Sequence, residues 1–245
     1  MSVTKKPESE IKNRLLAALP DKEFTKISKS LELVDLAMDE VLWEMDEERE
    51  YIYFPTTAMV CLLYESEDGV SIEVGMTGRQ GMVGIVTFIG DARMAKRAVV
   101  QHKGQSYRMK ADDVEKYFAS SADFHDICLC YTQTLIAQIS QSAICNRMHS
   151  VENQLSRYLL VCNDNLGTRS FAMTHEGISN VLGVRRETVS LAAAQLQEQG
   201  LIKYSRGKIT ITDRKALITS ACECYTVVRD QYNRILSRYI SEHDD

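Results

Sequence analysis

A chain of 245 residues, 44% hydrophobic and 26% charged, exceeds the usual size of one domain and is too apolar to be disordered, so two domains with separate cores are expected. A net charge of −5 offers no overall attraction to a polyanion, and no uncharged apolar run reaches the length of a membrane span. No apolar segment follows the lysines near Met1, so a cytoplasmic location is expected, and the seven cysteines then read as free thiols in apolar surroundings.

From about residue 31 to residue 109, β-branched, aromatic and apolar runs are repeatedly cut by acidic or glycine turns, as in 51–54, 58–64, 70–74 and 97–101. Many short strands without intervening helices predict a sandwich or jelly roll, with a hairpin turn at Glu67-Asp68-Gly69. The expected fold class is therefore α+β, with a β-domain over residues 1–120, a connecting helix over 121–149, and a helical domain over 150–245.

After Lys110 the apolar period lengthens to that of a helix. Leu129, Thr132, Ile136, Ile139, Ala143 and Asn146 recur at intervals of three and four, which sets them on one stripe of a long helix. That stripe can pair with its own copy in a homodimer, or pack on the β-domain of its own chain. A second helix over 151–163 is closed by the segment around Gly167. From Asp213 onward Leu217, Ala221, Cys224, Val228, Ile235 and Tyr239 predict one long amphipathic helix.

The segment 172–212 carries the most information. Thr174 is a good N-cap for a helix through Leu182, Glu176 complements its dipole, and Gly183 ends it. A second helix over 185–199 ends at Gly200. Two helices joined by a short glycine-containing turn are a helix-turn-helix pattern, in which the second helix enters the DNA major groove. Arg185, Arg186, Glu187, Thr188 and Ser190 lie at its leading end, and arginine can pair with guanine while glutamate accepts from cytosine. Val189, Ala192, Ala193 and Leu196 form a small apolar face for packing on the first helix. Beyond Gly200, residues 201–204 and 208–211 read as two strands of a wing whose Lys203, Arg206 and Lys208 suit phosphate.

Charge agrees with this reading. Between Arg169 and Lys215 lie eight basic and four acidic residues, a local balance of +4, whereas the remainder holds 21 basic and 30 acidic ones, a balance of −9. Such asymmetry orients a protein on a phosphate backbone.

The run Gly183-Val-Arg-Arg-Glu-Thr-Val-Ser190, then Gly200-Leu-Ile202 and Arg206-Gly-Lys-Ile-Thr-Ile211, resembles the Crp/Fnr superfamily of bacterial regulators. Tyr53-Phe-Pro55 and Gly78-Arg-Gln-Gly-Met-Val-Gly84 extend the resemblance over nearly the whole chain, to the family's cyclic-nucleotide-binding-type jelly roll. The resemblance implies a homodimeric transcription regulator that reads double-stranded DNA under allosteric control, with RNA polymerase as a further candidate partner. It aligns Arg186 and Glu187 with the family's base-reading pair, and Leu191 stands where many members have a second arginine. The effector pocket would be lined by Gly84, Ile85, Arg97 and Ala98, but Ile85 cannot accept a ribose hydroxyl, and neither Arg-Ser nor Arg-Thr occurs near Arg97 to hold a cyclic phosphate. The chain is thus a divergent member on this reading, with the cyclic AMP signature missing.

No cysteine precedes Cys61, where oxygen-sensing members carry an iron-sulfur cluster. Cys128-Leu-Cys130 and Cys222-Glu-Cys224 would make poor chelates on a helix, because residues two apart point in different directions. His102, His125, His149 and His175 show no metal-ligand spacing and read as surface or capping residues. Cyclic AMP, an iron-sulfur cluster and haem are all disfavoured, no metal is expected, and the effector stays unassigned. Without a nucleophile elbow, phosphate loop or zinc-hydrolase motif, no enzyme activity is expected. The competing reading is a signalling or protein-interaction module whose winged helix is not used for DNA.

Overall fold

Asn13 organises the start of the fold. Its side-chain oxygen caps helix α1 (Arg14–Ala18) by accepting from the amides of Leu15 and Leu16, and its amide group donates to the carbonyls of Pro55 at 2.9 Å and Gly81 at 2.8 Å. A computed structural model describes residues 11–44, 47, 49–65, 71–85 and 97–240. Helix α2 (Asp21–Ile27) follows, and α1 and α2 precede the strands, an N-terminal addition with no counterpart in the strand-based reading.

Two antiparallel sheets form the β-domain. One holds β1 (Glu32–Leu36), β7 (Gly104–Lys110) and β3 (Tyr51–Pro55) in that order; the other holds β2 (Val41–Trp43), β6 (Arg97–His102), β4 (Met59–Glu65) and β5 (Ser71–Thr77). Strands far apart in sequence are neighbours in both sheets, as a jelly roll requires. Trp43, Tyr53, Val60, Val83, Ala98 and Val100 meet between the sheets. The predicted turn at 67–69 lies outside the described residues. Within the 78–84 segment two glycines answer to close packing. A Cβ on Gly78 would strike the Asn165 carbonyl, and one on Gly81 would overlap the ring of Tyr131.

Helix α3 (Ala111–Ser120) leads to α4 (Ala122–Met148), which spans 27 residues. Phe124, Ile127, Cys128, Tyr131, Thr134 and Leu135 bury one face of α4 on the β-domain. Leu129, Ile136, Ile144 and Met148 are left on its exposed side. Helix α5 (Val151–Leu166), capped by Ser150 and closed by Gly167 at φ +67°, enters the C-terminal domain. There β8 (Ser170–Ala172), α6 (His175–Leu182), α7 (Arg186–Glu198), β9 (Ile202–Ser205) and β10 (Lys208–Ile211) make a winged helix, its sheet ordered β8-β10-β9.

The predicted single C-terminal helix is in fact two, α8 (Arg214–Ser220) and α9 (Glu223–Ile240), broken at Ala221 and Cys222. The chain holds no glycine or proline there; tertiary contacts break the helix. Asn153 donates to the Ser220 carbonyl at 2.7 Å, and the Ser156 and Ser220 hydroxyls meet at 3.1 Å, so the last turn of α8 is fastened to α5.

The C-terminal core does not close on itself. Leu155, Tyr158, Leu159 and Cys162 of α5 pack in one cluster with Met59 and Cys61 of β4 and Met76 of β5. Gln101 bridges the two halves polarly: its amide group donates to Glu73 at 3.1 Å, and its side-chain oxygen accepts from the Tyr158 hydroxyl at 3.3 Å. Half-buried Glu73 faces Cys61, Gln101, Tyr158, Cys162 and the more distant charge of Arg157. Burial pushes its carboxyl up to about 7, against the opposing hydrogen bonds from Cys61 and Gln101 and the attraction of Arg157. A carboxyl raised on folding contributes stability that is complete below its unfolded value near 4.5 and is lost as pH rises through about 7. Glu73→Gln removes that loss. Relative to the parent, the variant should gain stability as pH rises from 5 to about 7 and then level off, by about 1–2 kcal/mol in all after allowance for solvent at the site. Urea unfolding at several pH values measures this, and a difference that does not change with pH would contradict it.

Candidate nucleic-acid interface

The turn between α6 and α7 is built from local chemistry. Thr174 caps α6 by accepting from the amide of Gly177 at 3.0 Å, as expected, and Gly183 ends the helix at φ +64°. Half-buried Val184 packs into the angle between the helices. Arg185 takes the N-cap position of α7 in extended conformation with no side-chain cap bond, which leaves its side chain free of local duty. Buried Val189, Ala192, Ala193 and Leu196 hold α7 against the core. Their small size lets the helix sit close to α6 while its opposite face stays in solvent.

On that free face Arg185, Arg186 and Glu187 are all exposed. Among the described residues neither arginine enters an ion pair within 4.0 Å. Thr188 and Ser190 are only half-exposed. Ser190, expected at the base-reading end, is engaged within the protein: its hydroxyl lies 2.8 Å from Nδ1 of His175 and also donates to the Arg186 carbonyl at 3.0 Å. Ser190 therefore braces α7 against α6. Leu191, one turn along the exposed side, is 69% exposed, and an apolar side chain there can meet a thymine methyl group.

The wing is a two-residue hairpin. Lys208 pairs with Ser205, and the turn residues Arg206 and Gly207 adopt φ values of +50° and +72°, as a type I′ turn needs. This geometry projects Arg206 from the tip, with exposed Lys203 and Lys208 beside it. His175, read from sequence as a surface or capping residue, instead stacks on Tyr204 of β9 at 4.2 Å and 19°. It thus joins wing, α6 and α7. Burial, and then the charge of Arg186, lower its pKa, so it is held neutral. Its place at the first position of α6, opposite an aromatic residue on a wing strand, was the one available sequence signal.

One member of the cationic segment turns inward. Arg214 pairs with Asp164 at 2.8 Å, donates to Asn163 and reaches the Tyr225 hydroxyl at 2.6 Å. The outward charge therefore comes from Arg185, Arg186, Lys203, Arg206 and Lys208, together with Arg169 and Lys215.

The expected effector residues are not brought together. Ile85 is buried with Ile52, Phe54 and Phe124, whereas Ala98 is buried in the separate cluster around Trp43. Arg97 pairs with Glu44 at 3.0 Å, and Gly84, at φ +104°, abuts Ile52. None of the four lines the cleft formed by Met76, Gln80, Tyr131, Gln138, Asp164 and Tyr232, between the β-domain and the C-terminal helices. Of the six stripe residues on α4, Leu129, Ile136, Ala143 and Asn146 are exposed, Thr132 is half-buried, and Ile139 packs partly on the β-domain core.

Comparison with known proteins agrees with this geometry. Residues 33–121 match the description of a cyclic nucleotide-binding domain, and residues 153–219 that of a Crp-like helix-turn-helix domain. No curated protein matches the chain. Among solved structures, FixK2 from Bradyrhizobium japonicum is 19% identical with a TM-score of 0.67, over 78% of this chain and 98% of that one. A CRP-family transcriptional regulator from Thermus thermophilus is 18% identical with a TM-score of 0.63, over 77% and 96%. The c-di-GMP-responsive global regulator CLP from Xanthomonas campestris is 10% identical with a TM-score of 0.63, over 79% and 100%. These likenesses establish a shared fold.

Proposed function

Because this chain belongs to the Crp/Fnr superfamily, we propose that it is a homodimeric transcription regulator that reads a near-palindromic operator through the leading end of α7. A DNA-binding regulator rather than an enzyme is what the two matched domains make together. The single observation that carries the finer reading is the exposure of Arg185, Arg186 and Glu187 at the start of α7, outside any ion pair among the described residues and beside a basic wing. Two such helices, related by a two-fold axis, enter successive major grooves about 34 Å apart. Arg186 and Glu187 read base edges, Leu191 meets a thymine methyl, and Lys203, Arg206 and Lys208 hold phosphates.

The two-fold axis is supplied by the stripe of α4 that holds Leu129, Thr132, Ile136, Ile139, Ala143 and Asn146, of which Leu129 and Ile136 are large, apolar and exposed. On this reading the β-domain spans 1–120, the dimer helix 121–149 and the DNA-binding domain 150–245. Control would pass through the shared core between β4, β5 and α5, since a ligand that shifts the β-domain must disturb it. The regulator's place is the cytoplasm, where its DNA lies; no helix among the described residues is long and apolar enough to cross a membrane.

Salt dependence tests the reading. Affinity for a selected duplex should fall steeply as salt rises, because phosphate contacts release counterions. Lys208→Ala should weaken binding to all sequences alike and lower the slope of log affinity against log salt by about one. Affinity indifferent to salt would favour a protein-interaction module.

A further inference from the structure

The last turn of α4 and the start of α9 bring three thiols and an imidazole together. Cys145 lies in the last turn of α4 and His149 is the extended residue that caps it, four positions on. Cys222 stands in the break before α9, and Cys224 lies in the first turn of that helix. The break removes the objection that residues two apart on a helix diverge, since Cys222 is not helical. The four ligand atoms all lie within 4.8 Å of one another.

We propose that Cys145, His149, Cys222 and Cys224 form a tetrahedral zinc site that fastens the C-terminal helix to the end of the long helix α4.

The spacing is that of one ion. With Zn–S near 2.3 Å and Zn–N near 2.1 Å, a tetrahedron has S···S edges of about 3.8 Å and S···N edges of about 3.6 Å. Cys145 Sγ and Cys222 Sγ are 3.4 Å apart, and Cys224 Sγ and His149 Nδ1 are 3.5 Å apart. Three buried thiols and a half-buried imidazole are a soft donor set that fits zinc better than magnesium or calcium. Four protein ligands close the coordination sphere, which marks a structural ion rather than a catalytic one.

Neighbouring groups support the ligands. Nε2 of His149 is 3.3 Å from a Glu223 carboxylate oxygen, which orients the ring so that Nδ1 points at the sulfurs. The Gln141 side-chain amide donates to Cys224 Sγ at 3.1 Å. Arg157, whose charge acts on Cys145, opposes the net negative charge that three thiolates leave on a zinc ion. Each thiol surrenders its proton on binding, so zinc uptake releases up to three protons.

The location gives the site a consequence. Asn153 and Ser156 fasten α8 to α5, and the ion would fasten α9 to the end of α4, so the last two helices are each tied to one of the helices that meet at residues 149–150. Exposed Ala143 and Asn146 of the proposed dimer stripe lie in the same turns of α4 as Cys145, which places the clamp beside that stripe.

Full-length protein purified from zinc-supplemented cells should carry about one zinc per chain by plasma mass spectrometry. His149→Ala and Cys224→Ser should each reduce this to near zero, while Cys130→Ser, outside the site, should leave it unchanged. On metal-free wild-type protein, one equivalent of cobalt(II) should produce thiolate-to-cobalt charge-transfer absorption that excess zinc abolishes; this arm requires no variant to fold. Folded wild-type protein that retains no metal and gives no such absorption would overturn the proposal. So would a Cys145–Cys222 disulfide found by mass spectrometry in protein isolated without oxygen.

Discussion

Arg186→Ala is expected to weaken operator binding by about 1–3 kcal/mol, roughly 5- to 150-fold, and to erase preference at one base pair of each half-site. In the free protein the Arg186 side chain has no structural duty that the fold depends on. It is exposed, sits at the first position of α7, and has no carboxylate within ion-pairing distance among the described residues. Removing it costs the fold little. Its effect therefore appears in the complex, where a bidentate pair with a guanine is lost. Its charge also acts on His175, so the variant should let the His175 pKa rise toward its ordinary value. Binding measured on the preferred duplex and on single-base variants separates the two roles of the arginine. An equal loss on every sequence would mean that Arg186 touches only phosphate.

The second large effect is expected at Ile136, which is 60% exposed near the centre of the α4 stripe. An isolated surface isoleucine is unremarkable, but this one lies on the same helix face as exposed Leu129 and Ala143, each seven residues away. Ile136→Glu sets two like charges against each other across a two-fold axis and strands both in an apolar seam. The protein should become monomeric in sedimentation experiments and keep its circular dichroism, since the residue makes no core contact in its own chain. Operator affinity should fall by about 10²–10⁴, because the second half-site no longer binds as part of the same molecule. A variant that remains dimeric would place the interface elsewhere.

The helix-turn-helix was legible because its signals are local. Thr174, Gly183, Gly200 and the Arg206-Gly207 turn each act within a few residues through capping or backbone conformation, and periodicity separated the buried Val189, Ala192, Ala193 and Leu196 from the exposed arginines. The jelly roll was legible as a set of short strands, though not its register, which depends on pairings between distant segments such as β1 with β7. Where tertiary contacts decide, sequence reasoning failed. The break between α8 and α9 lies in a run with no helix-breaking residue and is imposed by Asn153 and Ser156. The role of Ser190 depends on His175, fifteen residues upstream, and Arg214 leaves the cationic surface because Asp164 lies across from it. Of the four expected effector residues, Ile85 is buried in one core and Ala98 in another, while Arg97 turns to Glu44, and this depends on the long-range packing of segments that are separate in sequence. The Cys145, His149, Cys222 and Cys224 cluster combines both problems. Its i,i+4 half was readable, but its other half exists only because the C-terminal helix is broken.

Selection of bound sequences from a pool of random duplexes shows whether α7 reads bases. The account predicts enrichment of an inverted repeat whose half-site centres lie about one helical turn, 10–10.5 base pairs, apart, with the preferred guanine lost in the Arg186→Ala pool. A pool that returns no enriched sequence, or one unchanged by that substitution, would contradict it.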